Sequence, residues 1–162
     1  MASKFQKEYT VSSYELNPLG QARLTTMANY FQEVAYHHAN ELGFGVEDMK
    51  NRNTMWLLSR MRIQMTSYPV WGEKILVETW PSGVEKLFAV RDFRVVNSRG
   101  EVIGAASTYW LIVDVESHRP LRPKAELETY GKIFYKLNMS PYLLVTLPIS
   151  NYKLYTLIVF ES

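Results

Sequence analysis

Glu33, His37 and His38 are the residues whose types and spacing come nearest to a catalytic constellation. Glu33 and His37 stand four apart, so on a helix they are surface neighbours. A carboxylate placed there can orient an imidazole acting as general base. The plainer reading is an ordinary helix pair with His38 packed or solvated, and it is favoured because no nucleophile or third partner is identifiable. His37 and His38 point about 100° apart on a helix, which makes them a poor metal pair. His118 lies in a Pro- and Arg-rich loop, where a solvent-exposed imidazole is the simpler expectation. Asp92, between Arg91 and Arg94, reads as part of a cross-strand charge pattern. Trp56, Trp71, Trp80 and Trp110 are candidates to line a pocket for a long apolar ligand, against the commoner role of core or interface. The chain has no cysteine, which excludes disulfides, thiolate zinc sites and a cysteine nucleophile. Phosphate loops, dinucleotide fingerprints and nucleophile elbows are also absent from the sequence.

The element that must carry the Glu33–His37 pair is Leu24 to Leu42, the only long stretch with a clear helical period. Leu24, Met27, Ala28, Phe31, Val34, Ala35, His38, Ala39 and Leu42 recur at three- and four-residue steps on one face. Thr25 or Thr26 is expected to cap its start, and Gly43 and Gly45 to end it. Before it, Lys7 to Asn17 reads as a strand closed by the turn Asn17-Pro18-Leu19-Gly20. After it, Glu47 to Lys50 suits a short helical turn within a loop. Met55 to Tyr68 then alternates, with Met55, Leu57, Ser59, Met61, Ile63 and Met65 in one row and Arg60, Arg62 and Gln64 in the other. Trp56 and Leu58 break the polar row at its start. Glu73 to Trp80 is the next strand, and Pro81-Ser82-Gly83 the expected turn. Leu87 to Val96 and Glu101 to Val113 form a hairpin about Asn97-Ser98-Arg99-Gly100. Gly104, Ala105 and Ala106 are small enough to admit a close approach by the helix backbone or a bound chain.

Composition narrows the class. With 162 residues, 47% hydrophobic and 21% charged, the chain has room for one ordinary globular core. A net charge of +2, with basic residues scattered among acids, argues against nucleic acid or an anionic membrane as partner. MASKFQKEYTVSS holds no signal-like apolar stretch, and Leu154 to Phe160 is far too short to span a bilayer. The expectation is a soluble, cytoplasmic protein. No arginine or aspartate follows Arg122. Residues 124–162 therefore read as an atypical tail or linker behind a domain of residues 1–123, too short for a second domain of ordinary size.

NYFQEVAYHHANELGFG, NTMWLLSRMRIQMTSYPVWGE and ASTYWLIVDVESHRPLRP together resemble the N-terminal half of the acyl-ACP thioesterases of plants and bacteria. The order and spacing of Trp56-Leu57-Leu58-Ser59-Arg60 and Tyr68-Pro69-Val70-Trp71-Gly72-Glu73 carry most of that resemblance, which extends over about Glu8 to Pro123. It implies an α+β hotdog fold, a curved antiparallel β-sheet wrapped around one long α-helix. It also implies hydrolysis of fatty acyl thioesters of acyl carrier protein to free fatty acid, in fatty acid biosynthesis and without a cofactor. Family members carry two hotdogs in tandem, the first shaping the acyl pocket and the second holding an Asn-x-His motif with a nearby acidic residue or cysteine.

No Asn-x-His triplet occurs in these 162 residues, and Gly20-Gln21-Ala22-Arg23-Leu24 stands where a catalytic hotdog would present its Asn and His. The resemblance therefore carries no catalytic residue onto this chain, and a truncated or frame-shifted reading of a longer gene would account for that. The expected acyl pocket lies between the helix and the inner row of the long strand, lined by Met27, Phe31, Leu57, Ser59 and Met61. Arg60 and Arg62, on the outer face, are expected to pair with glutamates or to meet the acidic carrier protein. A homodimer, or pairing with another hotdog, is the expected assembly. The rival readings are a non-catalytic lipid-binding or regulatory hotdog, and a stand-alone acyl-CoA thioesterase using Glu33 and a histidine.

Overall fold

The computed structural model describes residues 4–123 and the backbone of Lys153–Leu157. Strand β1 (Phe5–Thr10) leads through a 3-10 turn (Ser13–Glu15) into helix α1 (Leu24–Glu41) and the short helix α2 (Val46–Asn51). Strands β2 (Thr54–Met65), β3 (Lys74–Glu85), β4 (Phe88–Asn97) and β5 (Val102–Asp114) follow, then β6 (Pro120–Leu121) and β7 (Lys153–Leu157). The sheet order is β1-β3-β4-β5-β2-β7, every pair antiparallel, with β6 beside β5. This is the hotdog arrangement: one long helix against an antiparallel sheet.

The apolar stripe read from the sequence is the stripe that packs. Met27, Phe31, Val34 and Ala35 of α1 are buried against Ile75 and Val77 of β3, Phe93 and Val95 of β4, and Met61, Ile63 and Met65 of β2. Phe31 and Phe93 meet with ring centroids 5.0 Å apart. Burying each such side chain contributes about 1.5–3 kcal/mol. The helix start differs from expectation. Arg23 is the N-cap residue, and Thr26 turns inward to donate its hydroxyl to the Glu15 carbonyl at 3.1 Å. The end is as expected: Gly43 takes φ 74°, while Gly43 N–H donates to Asn40 and Phe44 N–H to Ala39. That pair of bonds is the Schellman closure, which satisfies two carbonyls the helix leaves over. Residues Leu42 to Val46 are thereby folded back across the helix end.

Three strand expectations are corrected. Strand β1 is shorter than read, because Ser12 to Glu15 turn so that Glu15 accepts from Ser12 N–H at 2.7 Å and from the Tyr30 hydroxyl at 2.7 Å. Pro81 and Gly83 do not end β3. They flank a bulge, where the register moves from Pro81 opposite Arg91 to Gly83 opposite Val90, and the reversal falls at Lys86 and Leu87 instead. A bulge tolerates both proline, which lacks a ladder donor, and Gly83 at φ 143°. In β2 the pairing skips from Leu58 opposite Trp110 to Arg60 opposite Tyr109, leaving Ser59 as the extra residue. A single inserted residue exchanges the two faces of a strand. The buried row is therefore Thr54, then half-buried Trp56 and Leu58, and beyond the bulge Met61, Ile63 and Met65. Gly104 does admit a close approach, but from β2: a Cβ there would collide with Met65 Sδ.

Lys153–Leu157, inside the stretch read as a tail, forms a strand on β2 opposite Met61 to Met65. Residues 124–152 and 158–162 lie outside the described residues.

Candidate functional site

A cavity of about 530 Å³ opens between one flank of α1 and the half of the sheet that the helix does not cover. Asn29, Gln32, Glu33, Ala35, Tyr36 and Ala39 line its helix side, and Leu42, Phe44, Gly45 and Val46 form its end wall. The sheet side is Trp56 of β2, Pro81 and Gly83 at the β3 bulge, Ala89, Val90 and Arg91 of β4, and Trp110 of β5. The space exists because small residues stand at the places where helix and sheet would otherwise touch: Ala35 and Ala39 on one side, Ala89 and Gly83 on the other. Apolar walls with a few convergent polar groups suit a ligand that is mostly hydrocarbon.

Each wall has a local cause. The Schellman closure brings Phe44 under the helix end, and Trp56 Nε1 donates to the Phe44 carbonyl at 2.9 Å, which ties the end wall to β2. That bond requires Trp56 to point inward, which the Ser59 bulge arranges. Trp110 Nε1 donates to Thr108 Oγ1 at 2.8 Å, which satisfies the indole. Gly45 stands close against the helix end, where a Cβ would displace the Asn40 side chain.

Arg91 is the lining cation. It shares the inner row of β4 with Phe93, is half-buried, and its Nη1 lies 2.9 Å from His38 Nδ1 and 3.2 Å from Thr79 Oγ1. Since a guanidinium only donates, His38 accepts at Nδ1, and the neutral imidazole then carries its proton on Nε2. Burial lowers the Arg91 guanidinium to about 10, against a smaller opposing pull from Asp92. Asp92 itself is on the opposite face, fully buried, accepting from the Ser107 hydroxyl at 2.6 Å. Burial pushes its carboxyl above the usual range, although Ser107 and Ser82 pull the other way. The cross-strand charge pattern expected here forms only in part: Arg94 pairs with Glu78 opposite it on β3, while Arg91 goes to His38 and Asp92 to Ser107.

Glu33 and His37 do meet, with Oε1 2.9 Å from Nε2, and Lys7 Nζ lies 3.1 Å from the same imidazole nitrogen. All three side chains are substantially exposed, and Glu33 of the three lines the cavity. His38 is fully buried instead. His118 sits in an exposed turn at φ 53°. Among the described residues no group of three or more His, Asp or Glu could hold a metal ion, and no helix is long and apolar enough to cross a membrane.

None of the five residues expected to line the pocket lines this cavity. Met27, Phe31 and Met61 are buried in the core beside it. Ser59 is the bulge itself. Leu57 is displaced by that bulge to the outer face, where it is 40% exposed. Of the four tryptophans, Trp56 and Trp110 line the cavity, Trp80 is buried elsewhere, and Trp71 is exposed. Among the described residues Arg60 pairs with no glutamate; it stacks between Phe88 and Tyr109, 4.7 and 4.6 Å from the ring centroids. The residues sequence reasoning missed are Ala35, Ala39, Ala89 and Arg91. Alanines on the helix face were visible as apolar positions, but nothing in the sequence marks an alanine as facing a void.

Comparison with known proteins bears directly on this geometry. Residues 2–129 match the acyl-ACP thioesterase N-terminal domain. Oleoyl-acyl carrier protein thioesterase 1, chloroplastic, of Arabidopsis thaliana is 31% identical over 122 residues, covering 71% of this chain and 34% of that protein. The chain thus spans about a third of the length of that relative. An acyl-ACP thioesterase from Bacteroides thetaiotaomicron superposes with a TM-score of 0.74 at 26% identity, over 79% of this chain and 53% of the other. A DHNA-CoA thioesterase from Staphylococcus aureus shares the fold, with a TM-score of 0.69 at 18% identity over 84% of this chain and 91% of its own.

Proposed function

Because the chain belongs to the acyl-ACP thioesterase family, we propose that it serves the hydrolysis of fatty acyl-ACP thioesters to free fatty acid by holding the acyl chain. The observation that carries this reading is the cavity of about 530 Å³ walled by Trp56, Trp110, Phe44 and three alanines. An acyl chain transferred there leaves water at about 0.8 kcal/mol per methylene. These 162 residues contain no Asn-x-His triplet, and among the described residues no hydroxyl bonds to the Glu33–His37 pair. In this reading residues 1–162 bind acyl groups and by themselves turn over little substrate. Arg60 and Arg62, exposed on the outer face of β2 and in no ion pair among the described residues, are the candidate contacts for an acidic carrier protein.

Titration of the chain with a fatty acyl ligand, read from tryptophan fluorescence, tests the binding half of the proposal. Ala89→Phe fills the cavity and is expected to weaken binding about tenfold or more, roughly 1.4 kcal/mol, while the fold survives. Absence of saturable binding by the unmodified chain would sink the reading. Thiol release from acyl-ACP tests the other half. Turnover that collapses in Glu33→Gln would instead favour a stand-alone thioesterase working from Glu33.

A further inference from the structure

The acyl-binding reading leaves the cation of the cavity lining unexplained. Arg91 lines the sheet side of this space among indole rings and Ala89, opposite a helix side that carries Asn29, Gln32, Glu33 and Tyr36 beside its alanines. Its position is fixed, because Nη1 is held by His38 and Thr79 from two different elements. A guanidinium has five N–H donors, and those two bonds occupy only one of its three nitrogens. Among the described residues Nη2 and Nε have no acceptor, and no carboxylate lies within ion-pairing distance of Arg91. The nearby acids are committed elsewhere. Glu33 faces Lys7 and His37, and Asp92 lies on the other face of β4 with Ser107.

A cation removed from water without a counter-charge is costly, and an opposite charge with hydrogen-bonding geometry relieves that cost. Arg91 remains protonated at neutral pH, so it cannot escape the cost by losing its proton. A methyl-terminated chain laid against it would remove the remaining hydration and return nothing. A carboxylate would return two parallel charge-assisted hydrogen bonds from the donors left over.

We propose that Arg91 anchors the carboxylate of a free fatty acid, whose hydrocarbon chain occupies the cavity towards Trp56 and Trp110. This rests on the reading that the cavity takes acyl chains, and it adds which acyl species is preferred. An ionised acid binds more tightly than a neutral ester of the same length. In the family's reaction the acid is the released product, so the site distinguishes product from thioester by charge.

The test compares dodecanoate, methyl dodecanoate and dodecanol, each titrated below its aggregation limit into the unmodified chain and into Arg91→Met and Arg91→Lys. The expected result is tenfold or greater preference of the unmodified chain for the acid. In Arg91→Met the acid falls to the level of the ester, while the ester binds as well as before; Arg91→Lys keeps part of the preference. Failure of all three ligands to bind the unmodified chain would overturn the acyl-binding reading itself. Equal binding of acid and ester by the unmodified chain would overturn the anchor alone, whether or not the variants fold. Equal weakening of both ligands in a folded Arg91→Met would do the same.

Discussion

Asp92 is a carboxylate in a place that disfavours its charge. It is fully buried, and its partner is a serine hydroxyl. Burial raises its carboxyl above the unfolded value of about 3.9, so the folded chain keeps the proton where the unfolded chain has lost it. Its contribution is therefore most favourable below that unfolded value and declines as pH rises towards the folded one. Asp92→Asn keeps an acceptor for Ser107 and has nothing to titrate. The difference in melting temperature between variant and parent should move in the variant's favour from pH 3 to pH 7, with about 2–4 °C for each kcal/mol. Thermal melts across that range, with the depressed acids Glu78, Glu101 and Asp114 common to both proteins, isolate the effect. A constant difference, or one of opposite slope, would refute the assignment. Arg91 differs from Asp92 in one respect that matters: its face opens into the cavity, so a ligand can supply what the protein does not.

At the scale of elements, Ser59 decides more than its size suggests. Without the bulge, Met55 and Leu57 would turn inward, and Trp56 and Leu58 outward. The bond from Trp56 to Phe44 would be lost with them. Deleting Ser59 should therefore cost at least about 3 kcal/mol, the order of a large core truncation, while Ser59→Ala stays within about 0.5 kcal/mol. Urea unfolding separates the two, and a near-neutral deletion would show that the bulge does not set the faces. The same residue marks where the sequence stopped being readable. The helix was legible because Met27, Phe31 and Val34 recur at an unbroken helical period, and its end because Gly43 must adopt a left-handed turn. The hairpin at Asn97 to Gly100 was legible for a similar local reason. The inner row of β2 was not, since alternation looks the same on either side of a bulge and only pairing with β5 reveals the slip. The anomaly of Trp56 and Leu58 was the one trace of it. Pro81 and Gly83 misled in the same way, because residues that favour turns also favour bulges. A pocket beside the helix was expected from the sequence, but the residues that line the cavity were not legible there. Whether Ala35 or Phe31 faces the void depends on the rotation of the helix over the sheet.

For the whole molecule, β2 is the feature with consequences for assembly. Strand β7 pairs with its outer edge opposite Met61 to Met65. Among the described residues no strand pairs with that edge over 54–60, where Met55 and Leu57 are also exposed. An uncovered edge beside apolar side chains favours pairing with another strand. A homodimer is the expected state at micromolar concentration by sedimentation velocity, and Leu57→Lys should shift it towards monomer. A chain that stays monomeric through that range would count against the pairing.

The cavity draws its walls from positions as far apart as Asn29 and Trp110, and that spread governs the order of events during synthesis. At about 5–20 residues per second, the ribosome releases α1 some seconds before β4 and β5. For that interval Met27, Phe31 and Val34 have no sheet to cover them, and the nascent chain carries a bare greasy helix. A lipid meeting the chain then would find a sticky surface but no container. Only when Trp110 emerges does the last wall arrive, so the cavity is completed late in the translation of this domain and all at once.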